Sequence, residues 1–251
     1  MKLSAVILTK NEESNILDCL ESLSFADEII IVDDNSEDRT DEVIKNLKDK
    51  RIKLYKRSLE YDFSKQRNFG LDKSKNEWVI FVDADERVPK SLASELLSLE
   101  DRLSEGVDAF SIKRLDVMWG KELRYGETGN IKLVRLAKKS VGAWDGAVHE
   151  VWNVEGNIGE LNNPLIHYPH PTVREFIAEI STYSTIRANE LHRDKITVNA
   201  IQIILYPKAK FILNYFLKLG FLDGVQGMVV ALMMSFHSFL VRSKLWLLNN
   251  S

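Results

Sequence analysis

Trp78-Val79-Ile80-Phe81-Val82-Asp83-Ala84-Asp85-Glu86 is an apolar run that ends abruptly in carboxylates. Its five leading residues are all β-branched or aromatic, the pattern of a strand buried on both faces, so the aspartates fall where that strand leaves the sheet. That is where open α/β sheets keep their ligands. Asp83 and Asp85 are two residues apart, and the period of an extended chain turns both carboxylates to one side of the small Ala84. Paired oxygen donors suit a hard divalent cation, Mg²⁺ or Mn²⁺, which held this way bridges to the phosphate oxygens of a nucleotide. A solvated acidic turn after a strand is the plainer alternative.

Working outward, the same grammar repeats. Leu3–Leu8 is an apolar run followed by the polar Thr9-Lys10-Asn11-Glu12-Glu13 and a helical pattern with Ile16, Leu20 and Leu23 on one face. Glu28–Val32 is a second buried-strand pattern, ending in Asp33-Asp34-Asn35-Ser36 and followed by a helix marked by Val43, Ile44 and Leu47. Ile52–Tyr55 is a third strand. Next comes Phe63–Asn68, where Ser64 is expected to cap a helix and set Arg67 in its first turn. Pro89 opens a further helix carrying Leu92, Leu96, Leu99 and Leu103. Alternating strands and helices with polar clusters at successive strand ends predict a mostly parallel sheet with one ligand crevice. In such a sheet Asp33-Asp34, Arg67 and Asp83-x-Asp85 converge. Carboxylates that take a metal or a ribose beside an arginine that neutralises or stacks describe a nucleotide-diphosphate site.

Beyond residue 106 come strand-like pieces at Ala109–Leu115, Lys132–Leu136 and Asn163–His167, separated by loops rich in Gly and Trp. Trp119, Trp144, Trp152 and Tyr125 offer flat faces to a sugar or pack on the core. A helix is expected from Thr172 to Glu190, with Thr172 and Glu175 forming a capping box. The last fifty residues differ in kind. Residues 198–222 are mostly apolar, interrupted at Pro207 and punctuated by Lys208, Lys210 and Lys218. Val225–Val241 is then a 17-residue run at the lower limit for a membrane span, flanked by Lys218, Arg242 and Lys244 and followed by Trp246. An in-plane or re-entrant helical hairpin on the membrane, a buried oligomer interface and a true span all fit this segment.

The chain has 251 residues, 45% of them hydrophobic, which is enough to bury a sizeable core. The net charge of −3 hides an asymmetry: residues 164–251 carry nine Lys/Arg against five Asp/Glu, leaving 25 against 32 in residues 1–163. No basic run with interleaved aromatics occurs, which argues against a nucleic-acid partner. The lone Cys19 excludes an internal disulfide and has no metal-ligand spacing, and the short apolar start lacks the features of a signal peptide, so a cytoplasmic protein is expected.

Val6–Glu12, Ile31–Ser36, Gln66-Arg67-Asn68 and Asp83-Ala84-Asp85 together resemble the nucleotide-sugar-binding half of inverting family-2 glycosyltransferases with the GT-A fold. Lys65–Gly70, Val148-His149-Glu150 and Ile166-His167-Tyr168 resemble, more narrowly, the glucosyltransferases that extend the bacterial lipopolysaccharide inner core. The resemblance covers most of residues 3–195. It implies a GT-A, Rossmann-like sheet flanked by helices over residues 1–197; residues 198–251 lie outside the resemblance and are read, from their apolar pattern and basic flanks, as a C-terminal helical extension that associates with membrane or with another subunit. The resemblance further implies a metal-dependent transfer of a hexose, glucose first, from UDP-glucose or another UDP-sugar to a lipopolysaccharide-core or other lipid-linked acceptor. The basic flanks of the tail add the expectation of an anionic membrane surface on the inner face of the cytoplasmic membrane. Thr9 and Asn11 would frame the base, Asp34 contact the uracil, Arg67 lie beside the nucleoside and Asp83 face the ribose. Asp85 would coordinate the metal with Asp83 as a further ligand, and His149 and His167 are candidates to bind the metal or the diphosphate. The Glu-Asp pair that supplies the base in many relatives is absent, which leaves Glu150 and then Asp145 as candidate bases. Two other enzymatic or signalling classes use similar acids. A nucleotidyltransferase would bring a Gly-rich basic loop, and Thr9–Asn15 has no glycine. A receiver module would leave residues 110–251 unexplained, while a non-catalytic scaffold keeps the fold without turnover.

Overall fold

The computed structural model describes residues 1–60, 62–99, 106–146 and 150–250, which fall into two compact units: residues 1–114 with 131–167, and residues 115–130 with 168–251. In the first unit, β1 (Leu3–Thr9), β2 (Glu28–Asp33), β3 (Ile52–Lys56) and β4 (Trp78–Asp83) form a parallel half-sheet in the order β3-β2-β1-β4. The crossovers carry α1 (Ile16–Ser22), α2 (Thr40–Asn46) and α3 (Phe63–Lys73). β5 (Glu86–Arg87) and α4 (Lys90–Leu97) follow, then β6 (Ala109–Met118), β7 (Lys121–Leu123) and β8 (Lys132–Lys138). β8 runs antiparallel to β4, and β6 antiparallel to β8. The β3-β2-β1-β4 side is therefore parallel where the sequence alternates strand with helix, and β8 and β6 continue the sheet antiparallel. β9 (Gly142–Asp145) and β10 (Val151–Val154) make a separate antiparallel ladder. β11 (Ile158–Glu160) lies parallel to β6, and β12 (Leu165–His167) antiparallel to β5.

The parallel strands are continuous apolar runs because both their faces are covered. Along β1, Ala5 and Ile7 join one buried cluster with Ile16 and Cys19 of α1 and with Leu92, Leu96 and Leu99. Val6 turns to the other face and a second cluster with Leu71 of α3, Phe81, Trp144 and Trp152. Those two tryptophans stack on each other at 5.4 Å and meet Phe81 edge-on at 4.9 and 5.0 Å. Of the two roles open to them, core packing is the one they fill. The cap of α3 corrects an expectation: Asp62, not Ser64, accepts the Lys65 N–H at 3.0 Å, while the Ser64 hydroxyl donates to Asp62 Oδ1 at 2.7 Å. A carboxylate outcompetes a hydroxyl for the open amides of a helix start. Leu103 lies outside the described residues.

In the second unit, the end of β6 pairs with β7, Asp116 opposite Leu123. Here α5 (Val173–Arg193) carries the expected Thr172–Glu175 capping box, and α6 (Ala200–Ile212) begins on a second one, Asn199 with Gln202. The α6 helix continues through Pro207 instead of breaking there, its start fixed by that box; the Pro207 carbonyl accepts the Ser235 hydroxyl at 2.7 Å. A π-turn at Leu213–Leu217 and a short 3₁₀ turn at Gly220–Asp223 lead into α7 (Gly224–Asn250). Met118, Leu123, Phe176, Ile180 and Val230 form the buried cluster of this unit. Gly220–Asn250 is long and apolar enough to cross a membrane by length and composition, with 28% of its most apolar window buried.

Candidate active site

Register brings the predicted residues to one level. Thr9 pairs with Asp33 across β1 and β2, and Leu8 pairs with Asp83 across β1 and β4, so three adjacent strands end within a residue of each other. Beyond those ends the chain turns sharply. Asn11 and Asn35 take left-handed backbone angles, φ 55° and 52°, which asparagine tolerates better than most residues. The Asn11 N–H donates to Ser36 Oγ at 2.8 Å, and Asn11 Oδ1 accepts the Glu37 N–H at 2.8 Å, which ties the first loop to the second. Asp33 is fully buried and accepts the Ser36 N–H and hydroxyl. Asp34 takes Lys10 Nζ at 2.7 Å on one oxygen and the Leu59 N–H at 2.9 Å on the other. That carboxylate, through its hydrogen bond, raises the Lys10 pKa above the usual lysine value.

At the end of β4 a charged group gathers. The Arg67 guanidinium, on α3, donates Nε to Glu150 Oε1 at 2.7 Å and Nη2 to Asp83 Oδ2 at 3.3 Å, with Asp83 Oδ1 3.0 Å from Nη2 in the same ion pair, and it lies over Trp144, 4.7 Å from the ring centroid. Arg135 of β8 sets Nη2 between Asp83 Oδ2 at 2.8 Å and Glu86 Oε1 at 2.9 Å. Glu86, fully buried, accepts the Asp83 N–H on its other oxygen at 2.8 Å. Arg135, Glu86 and Asp83 thus close a loop of contacts that holds the strand end in shape. Burial opposes the charge on Asp83, yet Arg135 and Arg67 together hold its carboxyl well below the usual range. Burial pushes Glu86 the other way, above its usual value against the pull of Arg135. Arg67 Nη1 and Arg135 Nε and Nη1 are buried without a hydrogen-bond partner, as is Thr9 Oγ1.

Asp85 faces a different neighbour. The β5–β12 ladder sets His167 opposite Glu86, and His167 Nε2 comes 3.1 Å from Asp85 Oδ2. Asp145 and Glu150 flank the β9–β10 connection, since Asp145 pairs with Val151. Asp145 is exposed and its Oδ1 accepts the Gly146 N–H at 2.9 Å, whereas Glu150 reaches Arg67. His149 lies outside the described residues, and among those described no group of three or more His, Cys, Asp or Glu gathers as a metal cluster. Arg135, Glu86 and Lys10 were not singled out from sequence. A charged residue inside the apolar Leu133–Ala137 run was the available signal for Arg135.

A sheet that is parallel on one side and antiparallel on the other, with acids and arginines at the carboxyl ends of its parallel strands, is the GT-A architecture of a glycosyltransferase. Residues 4–142 match the model of Glycosyl transferase family 2, and the chain belongs to that family. Among known proteins it is 27% identical over 253 residues to the lipopolysaccharide core biosynthesis glycosyltransferase LpsC of Rhizobium meliloti (strain 1021), covering 98% of this chain and 92% of that one. It is 33% identical over 112 residues to the GalNAc(5)-diNAcBac-PP-undecaprenol beta-1,3-glucosyltransferase of Campylobacter jejuni, covering 42% of this chain and 35% of that one. The structure of S. aureus TarS residues 1–349 with UDP-GlcNAc aligns with a TM-score of 0.53 at 17% identity, over 95% of this chain and 82% of that one, and shares the fold.

Proposed function

We propose that this glycosyltransferase moves a hexose, glucose first among the candidates, from a UDP-sugar to a lipopolysaccharide-core or other lipid-linked glycan acceptor, with inversion at the anomeric carbon. The observation that carries this is the alignment of Thr9, Asp33 and Asp83 at neighbouring strand ends, with Arg67 beside them. Support comes also from the lipopolysaccharide-core and glucosyltransferase names of the two relatives, and from the UDP-GlcNAc and UDP bound to TarS. In this assignment the backbone at Thr9 and Asn11 frames the base and Asp34 meets the uracil. Arg67 lies beside the nucleoside and Asp83 faces the ribose.

A Mg²⁺ or Mn²⁺ ion fits the donors present in one way. Asp83 is already engaged by two arginines, whereas Asp85 and His167 form a carboxylate–imidazole pair, and such ions take one or two protein ligands with substrate phosphates and water completing the shell. When bound, the ion supplies Lewis-acid neutralisation of charge on the departing diphosphate. The protein's own work is to orient and to move a proton. Inversion needs one base within hydrogen-bond reach of the acceptor hydroxyl, opposite the leaving group. Glu150 is the first candidate and Asp145 the second. The Glu150–Arg67 ion pair has to open before Glu150 can take that proton, and a diphosphate is a competing partner for the arginine fork.

Incubation with UDP-glucose, divalent metal and a lipopolysaccharide-core acceptor, followed by mass spectrometry of the products, tests the proposal. Glucosylated acceptor and free UDP are expected. Formation of UDP-glucose from UTP and glucose 1-phosphate would instead identify a nucleotidyltransferase, and nucleotide-sugar binding without turnover a scaffold.

A further inference from the structure

The second unit bares many large apolar side chains on α6, α7 and the turn between them. On α6, Ile201, Ile204, Leu205 and Ile212 are 66%, 56%, 55% and 50% exposed. On α7, Val225, Met228, Leu232, Phe236 and Phe239 recur every three or four residues as an exposed stripe, on the side away from the buried Gly227, Val230, Ala231, Ser238 and Val241. In the turn between the two helices Phe216, Leu217, Leu219, Phe221 and Leu222 stand out, Leu217 at 71%. So many exposed large apolar side chains within one segment of a folded protein point to a cover.

Charge identifies the cover. Asp223 is the acidic residue of the 198–250 segment; it is buried, and its Oδ2 accepts the N–H groups of Arg124 and Tyr125 at 3.0 and 2.9 Å. Lys210 is paired with Glu127 at 2.7 Å, but Lys208, in line with the α6 stripe, and Lys218, in the turn, are exposed. The rim of the apolar surface is therefore basic. A second copy docking through this same segment would oppose lysine to lysine, since Asp223 is buried, whereas an anionic lipid leaflet attracts each of these lysines.

We infer that α6, the turn and the exposed stripe of α7 form an in-plane docking surface for an anionic membrane leaflet. The turn enters deepest, and Lys208 and Lys218 extend their apolar stems back to the level of the phosphates. The half-exposed Trp246 lies at interface depth. The packing of α5 decides between lying on the membrane and crossing it. Lys244 of α7 donates to Ser181 O, Ser184 Oγ and Thr185 Oγ1 of α5 at 2.7, 2.9 and 2.8 Å, and Phe176 and Ile180 of α5 cluster with Val230. Were α7 to span, α5 would follow it into hydrocarbon with the exposed Arg174, Glu175, Glu179, Arg187 and Arg193. This inference concerns the second unit alone and does not depend on the donor assigned above.

The test is flotation of the full chain with sealed vesicles of phosphatidylcholine, with and without phosphatidylglycerol. Full-length protein is expected to float with the anionic vesicles. Leu217→Glu combined with Phe221→Glu, at exposed positions that leave the fold intact, should weaken binding by about tenfold or more. Lys208→Glu with Lys218→Glu should remove the preference for anionic vesicles. A protease-cleavable tag after Ser251 should stay cleavable from outside. Protein that remains unbound while the Leu217/Phe221 variant turns an oligomer into a monomer would make this surface a subunit interface and overturn the inference, and a protected tag would make α7 a span. Calorimetry of UDP binding to the same variants keeps the donor assignment separate, because both pairs of substitutions lie in the second unit.

Discussion

Asp85→Ala tests the division of labour between the two strand-end aspartates. Asp85 sits in a turn with its side chain 29% exposed and His167 as partner, so its loss should change stability by about 0.5 kcal/mol or less while abolishing metal-dependent transfer. Native-rate transfer, or an unfolded variant by circular dichroism, would remove Asp85 from the metal site. Asp83 is the opposite case, and Arg135 is where its role is best probed. Arg135→Met leaves the fully buried Glu86 carboxylate without its cation and the partly exposed Asp83 with Arg67 alone, which should cost about 3–5 kcal/mol in urea denaturation. The sign with pH follows from the depressed Asp83: that stabilisation is complete above the unfolded carboxyl pKa and is lost as pH falls below about 4, so the gap between native and variant should narrow in acid. Glu150→Gln should lower turnover by roughly 10²–10⁴-fold with donor affinity kept, as for loss of a general base. Turnover near native would pass the role to Asp145, and lost nucleotide binding would make Glu150 a donor-site residue. The convergence of Asp33, Arg67 and Asp83 was legible because acids that end successive apolar runs fall along one edge of a parallel sheet. Arg135 and Glu86 were not legible as partners, since they are 49 residues apart and only the pairing of β8 with β4 brings them together.

At the scale of elements, α3 carries Arg67 into the site, and its distance from the sheet is set at Gly70. A Cβ built there would come 2.4 Å from Val6 Cγ1, and Val6 is fully buried in β1 with no room to yield. Gly70→Ala should gain about 1 kcal/mol of helix propensity. Overpacking costs about 1–3 kcal/mol, so net destabilisation is expected in a chemical melt. Because Arg67 lies one turn earlier on α3, the same substitution should weaken UDP binding in calorimetry. A stabilised variant with unchanged binding would mean that α3 does not meter that distance. The parallel strands and α1 through α3 were readable from alternating apolar runs and polar clusters. The cap of α3 was not, because both Asp62 and Ser64 can cap and only backbone geometry chooses. Nor was the fate of Trp144 and Trp152, whose stacking under Arg67 depends on a ladder of two four-residue strands.

At the scale of the whole chain, the proposed division at residue 197 separates catalytic from tail functions, while packing groups residues 115–130 and 168–251 as one unit. The two statements meet in one experiment, deletion of residues 198–251. Val230, together with the partly buried Met233, Met234 and Leu240 of α7, covers Met118, Leu123, Phe176 and Ile180. Deletion therefore uncovers a cluster that the native chain buries, and it also strips the Asp223 carboxylate from the amides of Arg124 and Tyr125 and the Lys210 ammonium from Glu127. The first unit loses none of its own contacts, since Arg67, Asp83, Asp85, Arg135 and Glu150 all take their partners from within it. The truncated chain is expected to bind UDP with unchanged affinity in calorimetry, to bind the dye ANS strongly through the uncovered cluster, and to stay unbound in vesicle flotation. Unchanged UDP affinity with strong ANS binding is the signature of an intact first unit beside a second unit deprived of α7. Loss of UDP binding would mean that the nucleotide site needs the tail for its folding, and it would withdraw residues 1–197 as a self-sufficient catalytic portion.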